Sequence, residues 1–538
     1  MMARFIGGES AGRSLFGGRR NKARNIALTV VAMGGVVVTI VFQLSGLLVS
    51  AAAAAAVYGA TLTTHRGSPW QRYQGRRRWA ERARRGMLAF RPVHRRPAGL
   101  VEALSSGSRK ERAAALREFN TYRDWPDGAQ GMQWLVWAPG RPGIAWHLPT
   151  GEDDYLSVVF PLGGQIRGLE GDAVVNGGAV AYGALLASLG SLGSRMTRTQ
   201  LITRALPVDS ANHEAWVQDN LDPDAPQALV ESYKQVVDQM GRGALMQRHY
   251  AVVRWPVTDT FTRAAARLGP GQAGWVALMG REIPAAQRRL DTAKLHPGPA
   301  LSAARVAAVL RHQQIPSWPI DQAGDVDVHD PWLASRDEWS YTITEDTGPD
   351  GVLETWLHRT AVVPIDAVET GARTPLWLLP LLAQMRHQVV RTVSIQIEAI
   401  PASQARAEAR ADVTSDLADL EAQARKGVLV GEDLKVAMRA AKSRLADLEP
   451  GSGHHGAGWA MHVSISARTR DELADATEQI AEAAGHCGIT GLSWYDTQHG
   501  AAQACTWPIA RGMQPVKASA ATRVRGALAG KGHTEELT

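Results

Sequence analysis

Hydrophobic and polar positions are interspersed along most of this chain, but one segment near its start is different. Residues 25–64 form a run of 40 positions without Asp, Glu, Lys, Arg or His. One membrane-spanning helix needs about 20 apolar residues, so the run is long enough for two. Polar and small residues interrupt it between Gln43 and Gly46. We therefore expect two helices, at 26–42 and 47–63, with a short turn between them.

Both flanks of this run are basic. Six Lys or Arg residues precede it and eleven follow it before residue 97, and the only acidic residues there are Glu9 and Glu81. Since Lys and Arg near span ends tend to stay in the cytoplasm, both flanks should be cytoplasmic. The pattern predicts a two-span hairpin in the cell membrane with both termini cytoplasmic. A single long span and a cleaved secretory signal are the alternatives.

The formal net charge of +7 is unevenly distributed. Residues 1–96 carry a net charge of +15 and residues 97–538 a net charge of −8. The large polar region is therefore acidic, and direct binding of nucleic acid is not expected. Basic residues beside a span can bind anionic lipid headgroups, and we assign this role to five of them: Arg66, Arg72, Arg76, Arg77 and Arg78. Three aromatic residues among them suit an interfacial belt: Trp70, Tyr73 and Trp79.

Beyond residue 120 the pattern becomes that of short strands and amphipathic helices. Runs at 133–138, 144–148 and 156–161 are separated by Pro/Gly turns and predict an antiparallel meander. An apolar helix at 179–192 then precedes an extended stretch at 198–207. A similar succession returns about 190 residues later, with a helix at 376–389 before an extended stretch at 391–401.

In both places a charged helical region, a strand and a further helix follow. The strands are expected at 250–257 and 459–467, and the helices at 260–268 and 471–484. We interpret this as a divergent duplication, although helix–strand–helix successions are common enough to arise by chance. The fold class predicted is α+β, with a transmembrane hairpin followed by two similar α/β-sandwich (ferredoxin-like) halves.

The second half carries an inserted helical hairpin, predicted at 403–448. Its second helix shows apolar residues at spacings of three and four, typical of an amphipathic helix: Leu434, Met438, Ala441, Leu445 and Leu448. The hairpin would either project as a partner-binding arm or cover the sheet. The predicted boundaries are a basic cytoplasmic arm 1–24, the hairpin 25–64, a basic juxtamembrane linker and helix 65–120, a first half 121–314, an irregular connection 315–350, a second half 351–516 and a disordered tail 517–538.

The sequence suggests no catalytic, cofactor-binding or metal-binding residues. The glycine-rich strings 526–532 and 269–274 lack the features of a phosphate loop and a dinucleotide fingerprint. The acidic run 325–330 lacks the glycine and distal glutamate of a calcium loop, and His454-His455 has no second cluster to complete four ligands. The two cysteines form no metal-binding or CxxC spacing, which fits a reducing compartment.

Several segments together resemble a known domain: 391–401, the charged helices that follow it, 458–467, 470–476 and the downstream Trp494 and Trp507-Pro508. They resemble the N-terminal, non-ATPase domain of TraC/CagE-type ATPases of conjugative type IV secretion. The preceding hairpin is similar to the small PrgI-type membrane protein associated with those ATPases. Membrane proteins of actinomycete conjugative elements combine the two.

The resemblance implies a membrane-held structural subunit of a DNA-transfer or secretion apparatus rather than an enzyme. It implies a separate secretion or conjugation ATPase and channel subunits as partners, and an oligomeric assembly. Because the sequence has no Walker motif, ATP hydrolysis by this chain is not expected. The alternatives are an EccE-like component of type VII secretion, which also has two N-terminal spans, and a membrane-tethered transferase.

Overall fold

The computed structural model describes residues 4–6, 19–62, 68–105, 108–165, 170–191, 193–207, 216–217, 219–241, 245–321, 326–347, 351–383, 385, 389–400, 402–425, 432–449, 452 and 454–513. These form a mixed α/β body around one large sheet, preceded by a long apolar helix. The predicted tail 517–538 and the glycine string 526–532 lie outside the described residues.

Fifteen strands are found in the described residues. In chain order they are β1 Arg4–Ile6, β2 Ala89–Pro92, β3 Tyr122–Arg123, β4 Met132–Val136, β5 Ile144–His147, β6 Tyr155–Leu162, β7 Arg198–Pro207, β8 Leu245–Pro256, β9 Ala334–Asp337, β10 Thr342–Thr347, β11 Leu353–Val363, β12 Gly371–Arg373, β13 Val390–Ile400, β14 Gly456–Ala467 and β15 Ser493–Trp494. The strands expected at 133–138, 144–148, 156–161, 250–257 and 459–467 are confirmed, with ends that differ by a few residues.

The α-helices surround these strands. In chain order they are α1 Arg19–Thr61, α2 Pro69–Arg85, α3 Gly99–Ser105, α4 Arg109–Phe119, α5 Asp172–Leu189, α6 Gln227–Gly241, α7 Asp259–Ala266, α8 Gly271–Thr292, α9 Ala303–Gln314, α10 Leu379–Leu382, α11 Ala402–Arg425, α12 Glu432–Asp447, α13 Arg470–His486 and α14 His499–Gln503. The string 269–274 joins α7 to the start of α8, as expected of a turn that follows a helix.

One 13-stranded sheet contains most of the strands, in the order β3-β2-β9-β10-β11-β14-β13-β7-β8-β6-β5-β4, with β15 beside β11. The strands β4-β5-β6-β8-β7 run from one edge of the sheet to its centre. From the other side, β9-β10-β11-β14-β13 show the same succession, with β2 and β3 beyond β9. The two inner strands, β7 and β13, pair antiparallel, and Arg198 on one faces Glu398 on the other at 3.1 Å. The two halves thus join into one continuous sheet.

The alternating side chains of β6 pack into two cores, one on each face of the sheet. Leu156, Val158 and Phe160 belong to a cluster formed with helices α5, α7 and α8. Tyr155 and Val159 belong to a second cluster, with α9 and the segment around Trp507 on the opposite face. A strand covered on both faces reads as a nearly continuous apolar run, as this one does.

The second half has its own core between β14 and α13. Met461, Val463 and Ile465 of β14 pack against Leu473 and Ile480 of α13. Helix α13 begins with a capping box, in which the Thr469 hydroxyl accepts from the Glu472 amide and the Glu472 carboxylate accepts from the Thr469 amide. This start agrees with the helix expected at 471–484.

Helical insertions follow both inner strands. Helix α6 lies between β7 and β8, and α11 and α12 lie between β13 and β14. Arg444 of α12 lies 3.4 Å from Asp412 of α11. Residues 426–431, between these two helices, lie outside the described part. The helical hairpin of 403–448 and the ferredoxin-like description of the halves therefore stay predictions.

Two segments that were expected to be connections belong to the sheet. Strands β9 and β10 lie within 315–350, which was expected to be irregular, and β2 of the juxtamembrane segment pairs with β9. The single helix expected at the end of the 65–120 linker is two helices, α3 and α4. Helix α4 starts anew because Ser108 and Glu111 form a capping box.

The apolar helix expected at 376–389 is also wrong in length. Among the described residues only α10, Leu379–Leu382, is helical there. The buried Arg391 side chain donates hydrogen bonds to the carbonyl oxygens of Leu381, Leu382 and Val389. These carbonyls are thereby satisfied without a longer helix, since an arginine near a helix end can bind its last carbonyl groups.

Candidate membrane anchor and juxtamembrane site

The long helix α1 turns back on itself at the interruption seen in the sequence. Gln43 has φ 51° and ψ −127°, which are not helical values. Ser50 Oγ donates to the Gly35 carbonyl oxygen at 3.3 Å, although 15 residues of straight helix would separate them by roughly 22 Å. The parts of α1 before and after Gln43 therefore pack against each other.

Glycine makes this packing possible. A Cβ atom on Gly46 would lie 2.4 Å from the Val38 carbonyl oxygen, and one on Gly35 would lie 2.9 Å from the Ser50 Cβ. Small residues at such contacts let helix backbones approach closely, as in helix pairs within membranes. By contrast, the large apolar side chains of α1, among them Ile40 and Leu44, face outward and are exposed.

Two described helices are long and apolar enough to cross a membrane. The most apolar 18-residue window within Ala27–Thr61 has no buried residue and the helix has a hydropathy of 2.2, whereas α5 has a hydropathy of 1.3. Core helices and signal sequences can pass the same test. Helix α5 buries Val175, Leu185 and Leu189 against the body, so we assign it to the soluble core.

The residues before α1 are attached to the body. Strand β1 pairs antiparallel with β12, so that Arg4 lies opposite Arg373, Phe5 opposite Ala372 and Ile6 opposite Gly371. The expected cytoplasmic arm 1–24 thus includes a strand, and the last part of the arm, from Arg19, is helical.

The residues after α1 are attached to the same body through helix α2. One side of α2 presents Gly75, Trp79 and Arg82, at helical spacings of four and three. The ring of Trp79 lies 5.7 Å from that of Trp339, so Trp79 packs against protein, and its place in an aromatic belt stays a prediction. Trp70 and Tyr73 are exposed and stack on each other at 5.8 Å.

Arg82 makes the main polar attachment of α2. Its Nη2 atom lies 2.8 Å from Asp337 Oδ2 and 3.0 Å from Asp127 Oδ2, and its Nη1 atom donates to the Thr497 carbonyl oxygen. Arg123 binds the other oxygen of Asp127 at 2.6 Å. This group of two arginines and two aspartates links α2 to β9 and to the loop before α14.

The electrostatics of this group explain why the arginine is needed. The Asp337 side chain is only 5% exposed, and burial raises the pKa of its carboxyl, while Arg82 and the Gly500 amide oppose that rise. The Gly500 amide donates to Asp337 Oδ1 at 2.8 Å. Without Arg82, Asp337 would be a buried carboxylate with no described cation beside it.

Helix α2 ends at a glycine. Gly86 has φ 74°, and a Cβ atom there would lie 2.0 Å from the Arg117 carbonyl oxygen. The Met87 amide bonds back to the Arg82 carbonyl at 2.9 Å, as in a glycine-terminated helix. This close approach turns the chain from α2 into β2 against helix α4.

The outer side of α2 is a dense cationic surface. Six arginines are exposed on it: Arg72, Arg76, Arg77, Arg78, Arg84 and Arg85. Among the described residues, these six arginines form one ion pair, between Arg85 and Glu81 at 2.6 Å. Four of the arginines assigned to headgroups are thus brought together on one short helix, whereas Arg66 lies outside the described residues.

The acidic run 325–330 and the His454-His455 pair, which the sequence analysis considered as metal ligands, have separate partners in the structure. His329 packs against Trp137, Asp330 lies 3.5 Å from His94, and His454 contacts the Asp447 carbonyl oxygen. Among the described residues, no group of three or more His, Cys, Asp or Glu side chains could hold a metal ion. Asp325, in the acidic run, lies outside them.

One buried pair resembles the start of a catalytic arrangement but lacks its remaining parts. Ser157 Oγ and His147 Nε2 lie 2.8 Å apart, the contact by which a histidine activates a nucleophile. Both side chains are buried, and the Nδ1 atom of His147 has no hydrogen-bond partner in the described structure. Burial lowers the pKa of His147 well below its usual value. The His147 ring stacks on that of Tyr155, with ring centroids 4.4 Å apart.

The cavity beside Arg82 and Asp337 is small. Its volume is ≈ 20 Å³, about the space of one water-sized probe. Although two aspartates converge there, both are bound by arginines, and a substrate does not fit. This cavity therefore gives no support to a transferase activity.

Comparison with known proteins adds no assignment. No model of a protein family matches the chain, and no curated protein matches it significantly. The likeness to the non-ATPase domain of conjugation ATPases thus depends on the sequence segments described above.

Proposed function

We propose that this protein is a membrane-anchored structural subunit of a conjugative, type IV-like DNA-transfer or secretion apparatus, in which it holds a separate ATPase at the inner face of the membrane. The observation that carries the proposal is that both ends of the apolar helix are attached to one body. Strand β1 pairs with β12 before α1, and Arg82 binds Asp337 after it.

These two attachments support a membrane hairpin. A chain whose flanks bind the same body must cross a bilayer an even number of times. From Gln43 each arm of the described apolar stretch Ala27–Thr61 has 16 to 18 residues, about 25 Å of helix, close to the hydrocarbon thickness of about 30 Å. Cleavage of a secretory signal would also remove β1, a strand of the folded protein.

The cationic side of α2 supports an inner-leaflet location. Anionic lipids of the cytoplasmic leaflet attract Lys and Arg near the surface by about 1 kcal/mol each. Four exposed arginines, Arg72 and Arg76 to Arg78, lie within 17 residues of the end of α1. The acidic body is then held against the membrane by a basic helix and not by its own surface.

The resemblance to a non-ATPase domain supports a docking role. The protein combines a membrane hairpin, a basic helix and a large continuous sheet, and the sequence has no phosphate-binding loop. In this proposal the sheet and its helices form the platform, while a partner protein supplies ATP hydrolysis.

Copurification tests the proposal. The full-length protein would be tagged, solubilised in mild detergent and purified, with a tagged two-span membrane protein from the same cells as the control. We expect a Walker-motif ATPase and channel subunits of a type IV-like system to be enriched over the control, and loss of transfer or secretion when the gene is deleted. Absence of both results would contradict the proposal, and enrichment of type VII core components would favour the EccE-like alternative.

A further inference from the structure

Helices α5 and α8 leave an open groove between them, which we call the α5–α8 groove. Its volume is ≈ 300 Å³, and its apolar part is formed by Ala181, Ala184 and Leu185 of α5 and Ala285 of α8. Pockets that bind small molecules have volumes of about 300 to 1,000 Å³. The groove is therefore at the lower limit of that range, which suits one small ligand.

The α5 wall of the groove is apolar and narrow. Helix α5 carries no charged residue after Asp172 at its start. The residues that line the groove extend on this helix from Ala181 to Ser188, a length of about 10 Å. Because alanine side chains are short, they leave open space along the helix. A single extended alkyl chain fits this wall, since it is long, thin and apolar.

The α8 wall of the groove is cationic. Arg288 and Arg289 line it, and Lys294 follows the end of the helix. A Cβ atom on Gly177, one turn before Ala181 on α5, would lie 3.4 Å from Lys294 Nζ. None of these three cations forms an ion pair with a described residue. Three positive charges thus lie along one small groove.

The neighbouring acidic residues do not neutralise these cations. Glu282 of α8 is bound by Arg195 at 2.6 Å and accepts a hydrogen bond from the Trp255 indole at 3.3 Å. Asp291 is exposed but does not line the groove. Among the described residues, no Asp or Glu lines it. The charges of the groove therefore favour an anionic ligand with an apolar chain.

We propose that the α5–α8 groove binds one free fatty acid, with its alkyl chain along the α5 wall and its carboxylate held by Arg288 and Arg289. Guanidinium groups bind carboxylates through two parallel hydrogen bonds, and their aliphatic stems can cover apolar surface. A membrane phospholipid has two acyl chains, whereas the volume of the groove suits one. This inference does not depend on the proposed secretion role.

Photolabelling at the level of single peptides tests the proposal. The full-length protein in nanodiscs of zwitterionic lipid would be irradiated with decanoic acid that carries a diazirine at the end of its chain. Labelled peptides would be identified by mass spectrometry. The same chain with a trimethylammonium head is the matched probe, because it partitions into lipid but carries the opposite charge. Phosphatidylglycerol with the same diazirine tests for a membrane lipid in the groove.

One pair of variants tests the apolar wall. Ala184→Phe fills the groove, and Ala179→Phe, at an exposed position on another side of α5, is its control. Melting temperatures of the full-length proteins verify folding. The fatty-acid probe should label residues 181–188 or 285–293 in wild type and in Ala179→Phe. In Ala184→Phe this labelling should fall at least fivefold, because the phenyl ring occupies the place of the chain.

A second pair of variants tests the cationic wall. Arg288→Gln with Arg289→Gln should reduce labelling of the groove about tenfold, since charge-assisted hydrogen bonds to the carboxylate are lost. Arg263→Gln with Arg267→Gln, at two exposed arginines near the end of α7, should label as wild type does.

The fatty-acid probe should label the groove, and the trimethylammonium probe should not. The proposal would be overturned by a wild-type groove without label, by equal labelling with both probes, or by a groove variant that labels as wild type does. Labelling of the groove by phosphatidylglycerol in place of the fatty acid would also overturn it, in favour of a membrane lipid.

Discussion

Gln200 and Gln396 lie directly opposite each other on β7 and β13, the two strands that join the halves of the sheet. Both side chains are fully buried, and both bind the chain segment after α14. Gln200 Nε2 donates to the carbonyl oxygens of Cys505 and Trp507 at 3.2 and 2.9 Å, and its Oε1 accepts from the Ala510 amide at 2.8 Å. Gln396 Nε2 donates to the Arg511 carbonyl oxygen. The last described segment is thus held across the junction of the halves.

Replacing the first of these glutamines should destabilise the whole body. Gln200→Leu leaves the Ala510 amide without its acceptor, whereas the Cys505 and Trp507 carbonyl oxygens keep a second donor, the Ser394 hydroxyl and the Ile509 amide. A buried unsatisfied group costs about 1 to 3 kcal/mol, and we expect a loss of this size in the free energy of unfolding, measured as a lower melting temperature of the full-length protein. Gln272→Leu, at an exposed position of α8, should melt as wild type does. Equal melting of both variants would contradict this role.

Arg82 should be the most important arginine of α2 for stability. Arg82→Ala leaves Asp337 buried without its cation, a change that costs about 3 to 5 kcal/mol in comparable buried pairs. The exposed Arg84→Ala should cost less than about 0.5 kcal/mol. Melting of the two variants measures the difference. Asp337→Asn should restore part of the stability lost in Arg82→Ala, and a double variant no more stable than Arg82→Ala would contradict the explanation.

The exposed arginines of α2 should make the protein's stability depend on lipid charge. In nanodiscs, wild type should melt at a higher temperature with anionic lipids than with zwitterionic lipids. The double variant Arg76→Gln with Arg77→Gln should lose about 1 kcal/mol of attraction to anionic headgroups for each arginine. The difference in melting temperature should become smaller accordingly. The matched variant Arg263→Gln with Arg267→Gln, at the C-terminal end of α7, should keep this difference. If the α2 variant keeps the full difference in melting temperature, the prediction that this surface binds headgroups is wrong.

Acid should destabilise the folded body through its buried histidines. Burial lowers the pKa of His358 to about 3 and that of His462 to about 4. Both are neutral when folded and take up a proton when unfolded, so their contribution is complete above the unfolded pKa of about 6.5 and is lost as the pH falls toward the folded values. Between pH 7 and 5 each should cost about 2 kcal/mol.

Asp337 acts in the opposite direction, since its pKa is raised in the folded state. It is one group against several, because burial also lowers the pKa of His147, His249, His312 and His499. The melting temperature of wild type should therefore fall between pH 7 and 5. The variant His358→Gln with His462→Gln should show a smaller fall over this range. An equal fall in both proteins would contradict the assignment.

Local features of this chain could be predicted, whereas its long-range pairings could not. The alternation in 198–207 and 391–401 identifies two strands, but nothing local indicates that Arg198 will face Glu398, 200 residues away. The same holds for Arg82 and Asp337, which are separated by 255 residues. In α2 the spacing of Gly75, Trp79 and Arg82 carries a weak signal of a buried side, which the surrounding arginines conceal.

The long apolar helix α1 was the easiest element to predict because its signal is compositional. A charge-free run and its break at Gln43 require no knowledge of tertiary contacts. By contrast, the sequence does not indicate that β1 pairs with β12, because each strand has only three residues. The sequence predicts only a linker in the juxtamembrane segment for a similar reason: the pairing of this segment with β9 uses only Ala89 and Phe90.

A cross-link between β1 and β12 tests the central claim, that the chain leaves the body at one end of α1 and returns to it at the other. Phe5 and Ala372 are directly opposite, a spacing at which two cysteines can form a disulfide. The double variant Phe5→Cys with Ala372→Cys would be made in a protein that also carries Cys487→Ala and Cys505→Ala. In membranes containing it, we predict an intramolecular disulfide after mild oxidation. The control pair Phe5→Cys with Val101→Cys should form none. The claim would be contradicted if this cross-link did not form and residues 5 and 372 were labelled from opposite sides of the membrane.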